Sequence, residues 1–183
     1  MSHRITVLWT VPRSVSTSFE RMMIERGDHT VFDEPFSRSY YFGPERRSDR
    51  FTESLTASSD SELLDMLEKA ATERPVFVKD MAYHALGVLT PDVLGRFQNC
   101  FLVREPATAL RSFARRWPDF TDEEAGWDAL GRTADVVESL GQPLVVVDAA
   151  ELCIDPGGVV AAWCAAMDLP LMERALTWEP GMR

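Results

Sequence analysis

The sequence predicts an α/β fold with a central parallel sheet of about five strands and helices on both faces. Three observations carry that prediction. Short runs of β-branched and aromatic residues recur along the chain, stretches with apolar residues at three and four spacing lie between them, and the runs lack polar alternation. Strands without that alternation are buried on both sides, so helical, right-handed crossovers must cover both faces. At 183 residues and 45% hydrophobic content the chain can enclose one sizeable core, and residues 1–183 are expected to form a single domain.

The elements follow in order. "ITVLW" (5–9) reads as the first strand and "STSFERMMIERG" as the first helix. "TVFD" (30–33) is the second strand. The polar stretch 38–60, "RSYYFGPERRSDRFTESLTASSD", reads either as a mobile segment on the substrate side or as a plain surface loop. "SELLDMLEKAATE" is a helix with Ser61 at its N-cap; "VFVK" (76–79) and "CFLV" (100–103) are strands. "PATALRSFARRW" opens on Pro106, and "TDEEAGWDALGRTADVVESLG" opens on a capping box of Thr121 and Glu124 and stops near Gly141. "LVVVD" (144–148) is the last strand and "DPGGVVAAWCAAMDL" the last helix.

Composition narrows the chemistry. Lys and Arg total 19 against 29 Asp and Glu, and a net charge of −10 repels polyphosphate backbones, so nucleic acid is not an expected partner. A local basic pocket remains compatible with that total. The apolar run in "MSHRITVLW" is too short for a signal peptide and no segment is long enough to span a membrane, so a cytoplasmic location and no membrane contact are expected. Cys100, Cys153 and Cys164 sit far apart in apolar surroundings and read as reduced core thiols. With no CxxC pair and three histidines, no metal site is expected.

Two stretches look built for anions. Between the strand ending at Trp9 and a helix beginning near Ser16 or Thr17, the turn holds Pro12, Arg13 and Ser14, so backbone N–H groups converge in front of the sheet, as in a P-loop. Ser14, Ser16, Thr17 and Ser18 add hydroxyls, and Arg13 adds a charge able to grip two oxygens. The pattern G-x-x-x-x-G-K-[ST] is absent, which disfavours ordinary ATP or GTP binding. The plainer alternative makes Ser16 an N-cap and its neighbours turn residues. The second stretch is "REPATALRS", with Arg104 at a strand end and Ser112 eight residues beyond it.

P-R-S-x-S-T after the first strand together with R-x-P-x-x-x-x-x-S after a later one resembles the P-loop sulfotransferases, and more narrowly a bacterial sulfotransferase-like subgroup with P-R-[NS]-[IV]-S-T and D-E-P-F motifs. "VFDEPF", "VFVKDMAYH" and "LVVVDAAELCIDPGGVVAAWCAAMDLP" are similar to family segments in the same order, so the likeness runs along nearly the whole chain. The resemblance implies a P-loop-type three-layer fold and transfer of a sulfuryl group from 3′-phosphoadenosine-5′-phosphosulfate to a hydroxyl or amine of a small molecule, without a metal. It implies that the loop Pro12, Arg13, Ser14, Val15, Ser16, Thr17 and Ser18 wraps the 5′-phosphosulfate, and that Arg104 and Ser112 hold the 3′-phosphate.

In-line transfer asks the protein to align donor and acceptor and to stabilise charge growing on the departing phosphate. Arg13, the loop amides and Lys79 are the candidates for that charge. Glu34, one residue past a strand end, is the choice for general base, with Asp33 its rival; if both face the pocket, one should be pushed toward a higher pKa. Alternatively, both cap the turn before Pro35. His84 either reaches the acceptor or serves as a surface or capping group at a helix start. Arg111, Arg115 and Arg116 either extend the 3′-phosphate field or are solvated, and Trp9, Trp117 and Trp127 either stack on adenine or belong to the core.

Two departures stand against the resemblance. Val15 occupies a position where the family commonly has glycine, and the basic, glycine-containing C-terminal lid is represented only by Gly181 and Arg183; with the lid lacking, either another protomer in a homo-oligomer or the acceptor's carrier completes the pocket, or donor binding is weak or lost. A non-catalytic sulfotransferase-like nucleotide- or partner-binding protein is the alternative function. A small-molecule kinase is the poorer third reading.

Overall fold

The computed structural model describes residues 3–55 and 59–179. Five strands form one sheet: β1 (Ile5–Thr10), β2 (Thr30–Asp33), β3 (Val76–Met81), β4 (Gln98–Val103) and β5 (Val145–Asp148). Their spatial order is β2-β3-β1-β4-β5 and every pairing is parallel. Successive side chains of β1 point to opposite faces. Val7 and Trp9 enter one core with Val78, Phe101, Leu67 and Leu130, while Leu8 enters a second with Phe19, Met23, Phe77 and Trp163. All six residues of β1 are buried, which is why its sequence shows no polar alternation.

Helices α1 (Ser16–Arg26), α8 (Ala149–Ile154) and α9 (Pro156–Ala166) supply the second core; α2 (Ser37–Phe42), α3 (Asp60–Ala70), α4 (Pro91–Leu94) and α7 (Trp127–Ser139) supply the first. The expected three layers are therefore present. Helices α5 (Pro106–Ala114) and α6 (Asp122–Ala125) complete the set among the described residues.

Several local expectations change. Helix α3 is capped by Ser59, whose side chain forms a reciprocal box with Glu62, and not by Ser61. The expected long helix from Thr121 breaks at Gly126, whose left-handed backbone (φ 81°) closes α6 and opens α7. Stretch 38–60 carries α2, because Tyr40 and Tyr41 bury their rings against the first core. Cys100 and Cys164 are buried as expected, whereas Cys153 is exposed. Gly181 and Arg183 lie outside the described residues.

The registers place Thr10, Asp33, Met81 and Val103 together at the carboxyl edge of the sheet, since Thr10 pairs with Met81 and Leu102, and Asp33 with Lys79. The chain leaves β1 toward β2 on one side and β4 toward β5 on the other. Connections that part in opposite directions leave a crevice, here between the ends of β1 and β4.

Candidate active site

The turn after β1 is strained where it faces that crevice. Arg13 and Val15 both hold left-handed backbone, φ 66° and 60°. For a β-branched residue that conformation costs about 1–3 kcal/mol, and left-handed residues set into a turn aim backbone N–H groups into an anion-sized concavity. Val15 is also the N-cap of α1, and no side chain caps the helix. Ser16 is thus the first helical residue, not the cap. The Ser14 hydroxyl is buried, 2.7 Å from Thr10 Oγ1 and 2.8 Å from the Val11 carbonyl, so it shapes the turn from within.

The two stretches singled out as anion sites meet. Arg104 donates from Nη1 to the Arg13 carbonyl at 2.8 Å, and Arg13 donates from Nε to Ser112 Oγ at 3.0 Å. Both guanidiniums line a cleft of about 450 Å³ together with Arg116, Trp117, Glu34 and Tyr83. A net-negative protein thereby keeps a locally positive recess. Of the other loop residues, Pro12, Ser14, Val15, Ser16 and Thr17 line the cleft; exposed Ser18 faces a neighbouring cavity instead.

Beneath the cleft Lys79 is 2% exposed and gathers three carboxylates. Its Nζ lies 2.7 Å from Glu34 Oε1, in contact with Asp33 Oδ1, and 3.6 Å from Glu20 Oε2. Burial opposes the ammonium charge, but Glu34 and Asp33 outweigh it and raise the Lys79 pKa. Lys79 therefore works as a buried anchor for carboxylates and does not line the cleft. Glu34 does line it, held by its backbone N–H to the Lys79 carbonyl at 2.7 Å and by a left-handed φ of 45°. Burial, and next the charge of Asp33, lift the neighbouring carboxyl of Glu20 to about 7. Sequence reading passed over Glu20, although Ser16, Phe19, Glu20 and Met23 form one helical stripe at i, i+3, i+4 and i+7, and all four are buried.

His84 is buried and does not lie on the surface. It sits in a 3₁₀ turn, Ala82–Ala85, 3% exposed, among the rings of Tyr40, Tyr41 and Tyr83 with centroids 4.3–5.5 Å away. Its Nδ1 is 2.7 Å from Oδ1 of Asp80, a fully buried carboxylate that accepts from the backbone N–H groups of Phe36 and Met81, each at 2.8 Å. Burial raises the pKa of Asp80. The imidazole also forms part of the cleft wall.

The segment after α2 is strapped over this wall. Arg50 donates two hydrogen bonds of 2.7 Å to Glu124 and lies 4.5 Å above the Trp117 ring. Burial pushes Glu124 up, yet Arg50 holds it below the usual carboxylate range. Of the tryptophans considered for a base, Trp9 is in the core with its Nε1–H donated to Asn99 at 2.8 Å, Trp127 packs on the same core, and Trp117 alone lines the cleft. Arg111 bonds the Ala107 carbonyl at 3.2 Å and stays off the cleft wall, as does exposed Arg115. On the other side of Val15 lies an apolar cavity of about 250 Å³, walled by Phe19, Met22, Leu152, Pro156 and Trp178. Trp178 had no periodic signal to announce it.

A profile of the Sulfotransferase domain family matches residues 4–183. The chain belongs to the sulfotransferase domain family. Solved structures agree on its fold: the sulfotransferase domain from the curacin biosynthetic pathway superposes with a TM-score of 0.60 at 16% identity, covering 96% of this chain and 77% of that one. The sulfotransferase domain of the Synechococcus PCC 7002 olefin synthase gives 0.61 at 17%, covering 95% and 76%. A mouse sulfotransferase complexed with PAP gives 0.58 at 10%, covering 93% and 61%. Among curated proteins, branched-chain-amino-acid aminotransferase-like protein 2 of Arabidopsis thaliana is 24% identical over 94% of this chain and 31% of its own length. This sulfotransferase domain thus spans about a third of the curated relative. Among its described residues no cluster of three His, Cys, Asp or Glu side chains is arranged for a metal, and no helix is long and apolar enough to cross a membrane.

Proposed function

We propose that this sulfotransferase domain moves a sulfuryl group from 3′-phosphoadenosine-5′-phosphosulfate to a hydroxyl or amine of a small-molecule acceptor. The observation that carries the proposal is the joining of Arg104, Arg13 and Ser112 across the β1/β4 crevice, in front of an α1 N-terminus that no side chain caps. Uncapped N–H groups and two forked cations in one recess suit a donor with phosphates at both ends of its ribose. The 5′-phosphosulfate fits the loop amides and Arg13; the 3′-phosphate fits Arg104 and Ser112. Across Val15, the apolar cavity suits a purine ring, with Trp178 offering a face to stack on.

Glu34 is the base in this scheme. The acceptor oxygen or nitrogen forms a bond to sulfur as the bond from sulfur to the phosphate oxygen breaks, Glu34 takes the acceptor proton, and the phosphate keeps the electron pair. Arg13 and the loop amides stabilise the charge that collects there, while Lys79 contacts Glu34 from below the cleft at 2.7 Å. Calorimetric titration with 3′-phosphoadenosine-5′-phosphate tests the donor site, with ATP and magnesium as the control a kinase would prefer. Transfer of labelled sulfate to a panel of alcohols and amines tests the chemistry. Glu34→Gln should bind the nucleotide as the wild type does and lose at least a hundredfold in turnover; unchanged turnover removes Glu34 from the role.

A further inference from the structure

Glu20 stands outside the cleft, and the scheme above gives it no task. Its side chain is 12% exposed, against 30% for Glu34 and 58% for Asp33. Its Oε2 accepts no hydrogen bond, although Lys79 Nζ is 3.6 Å away. One buried ammonium therefore faces three carboxylates from three elements: Glu20 on α1, Asp33 on β2 and Glu34 just beyond β2, with Lys79 itself on β3. The next charge along α1, Arg21, is paired with Glu25 at 2.6 Å. Three carboxylates around a single ammonium leave an excess of negative charge, and because Glu20 is the most buried of the three, the cheapest relief is to keep a proton there.

We infer that Glu20 is a positioning residue which, by holding or releasing a proton, decides how Lys79 divides its contact between Glu34 and the helix side. With Glu20 neutral, Lys79 is left to Asp33 and Glu34, and the structure has its Nζ 2.7 Å from Glu34 Oε1 and 3.6 Å from Glu20 Oε2. With Glu20 ionised, the ammonium is pulled toward α1, its grip on Glu34 Oε1 loosens, and that oxygen becomes free to receive a proton from the cleft. Burial and the neighbouring Asp33 place this change near neutral pH. No covalent step is involved, only one proton exchanged with solvent.

The inference rests on Glu34 serving as the base, so its test separates structure from turnover. Carbon-13 carboxyl NMR of glutamate-labelled protein, titrated from pH 5 to 9, should show a Glu20 signal moving with a midpoint near 7 and a Glu34 signal moving with it. In Glu20→Gln the Glu34 signal should lose that neutral step. In a transfer assay, kcat/KM of the wild type should rise about three- to tenfold through the same range, with the rise absent in Glu20→Gln. A Glu20 titration in the ordinary carboxylate range, or a neutral step at Glu34 that survives in Glu20→Gln, overturns the inference. Should Glu20→Gln fail to fold, the wild-type titration still decides, because the Glu20 and Glu34 signals must then share one midpoint near 7. If both signals behave as expected and no acceptor is sulfated, the transfer reading fails while the coupling stands.

Discussion

Replacing Glu20 by glutamine should change how stability depends on pH, in a direction the buried cluster dictates. In the folded protein the Glu20 carboxyl is raised from 4.5 to about 7 by burial and by Asp33. Between those values the folded state keeps a proton that the unfolded chain has already lost, so stability falls as pH rises across that window and levels off above about 7. Two to three pKa units at 1.36 kcal/mol each set the loss at about 3 kcal/mol, the upper end for a side chain that retains a little exposure. Glutamine carries no such proton and imitates the neutral form. The stability of Glu20→Gln relative to wild type should therefore improve by about 2 to 3 kcal/mol between pH 5 and pH 8, whatever constant offset the substitution adds. For a chain of this length that is a relative gain of about 5–10 °C in Tm. Thermal melts by circular dichroism at half-unit pH intervals measure it. Parallel curves for the two proteins would show that Glu20 is ionised throughout and would refute the reasoning.

Three further outcomes follow from other contacts. Arg104→Ala should weaken 3′-phosphoadenosine-5′-phosphate by about 2 to 4 kcal/mol in calorimetry, the usual loss for a charge-assisted contact to phosphate; less than a tenfold change contradicts its assignment. Arg50→Met should cost about 3 kcal/mol in chemical denaturation by stranding the buried carboxylate of Glu124, and adding Glu124→Gln should recover part of it. No recovery in the double variant would mean that packing on Trp117, not charge, holds the strap. Gly126→Ala puts a Cβ 3.1 Å from the Tyr83 ring at a left-handed position, φ 81°, and should cost about 2 kcal/mol; a loss under about 0.5 kcal/mol would show that the turn can relax.

The positions of the turn after β1 and of Arg104 were legible because each follows a strand whose end is announced by its own residues. Once "ITVLW" and "CFLV" are strands of one parallel sheet, both following segments must lie on the same edge. Glu34 was legible for the same reason. What each neighbour does there was less so. Burial set the surroundings of both His84 and Lys79: the imidazole is caged by three tyrosines and tied to Asp80 instead of lying on the surface, and the lysine is engaged by carboxylates beneath the cleft. Ser61 lost its cap to Ser59 for a smaller reason, a shift of two residues at a helix end that propensity does not resolve.

By itself the sequence determined the layered α/β class and the ordered strand-to-helix turns that carry Arg13 and Arg104, because hydrophobic period and turn chemistry are local properties. Tertiary structure alone decided that Arg13, Arg104 and Ser112 touch, that a third carboxylate on α1 shares Lys79, and that an apolar slot opens beside Val15. Those facts depend on which strands lie side by side and how deeply each charge is buried, and both are set by packing between segments tens of residues apart.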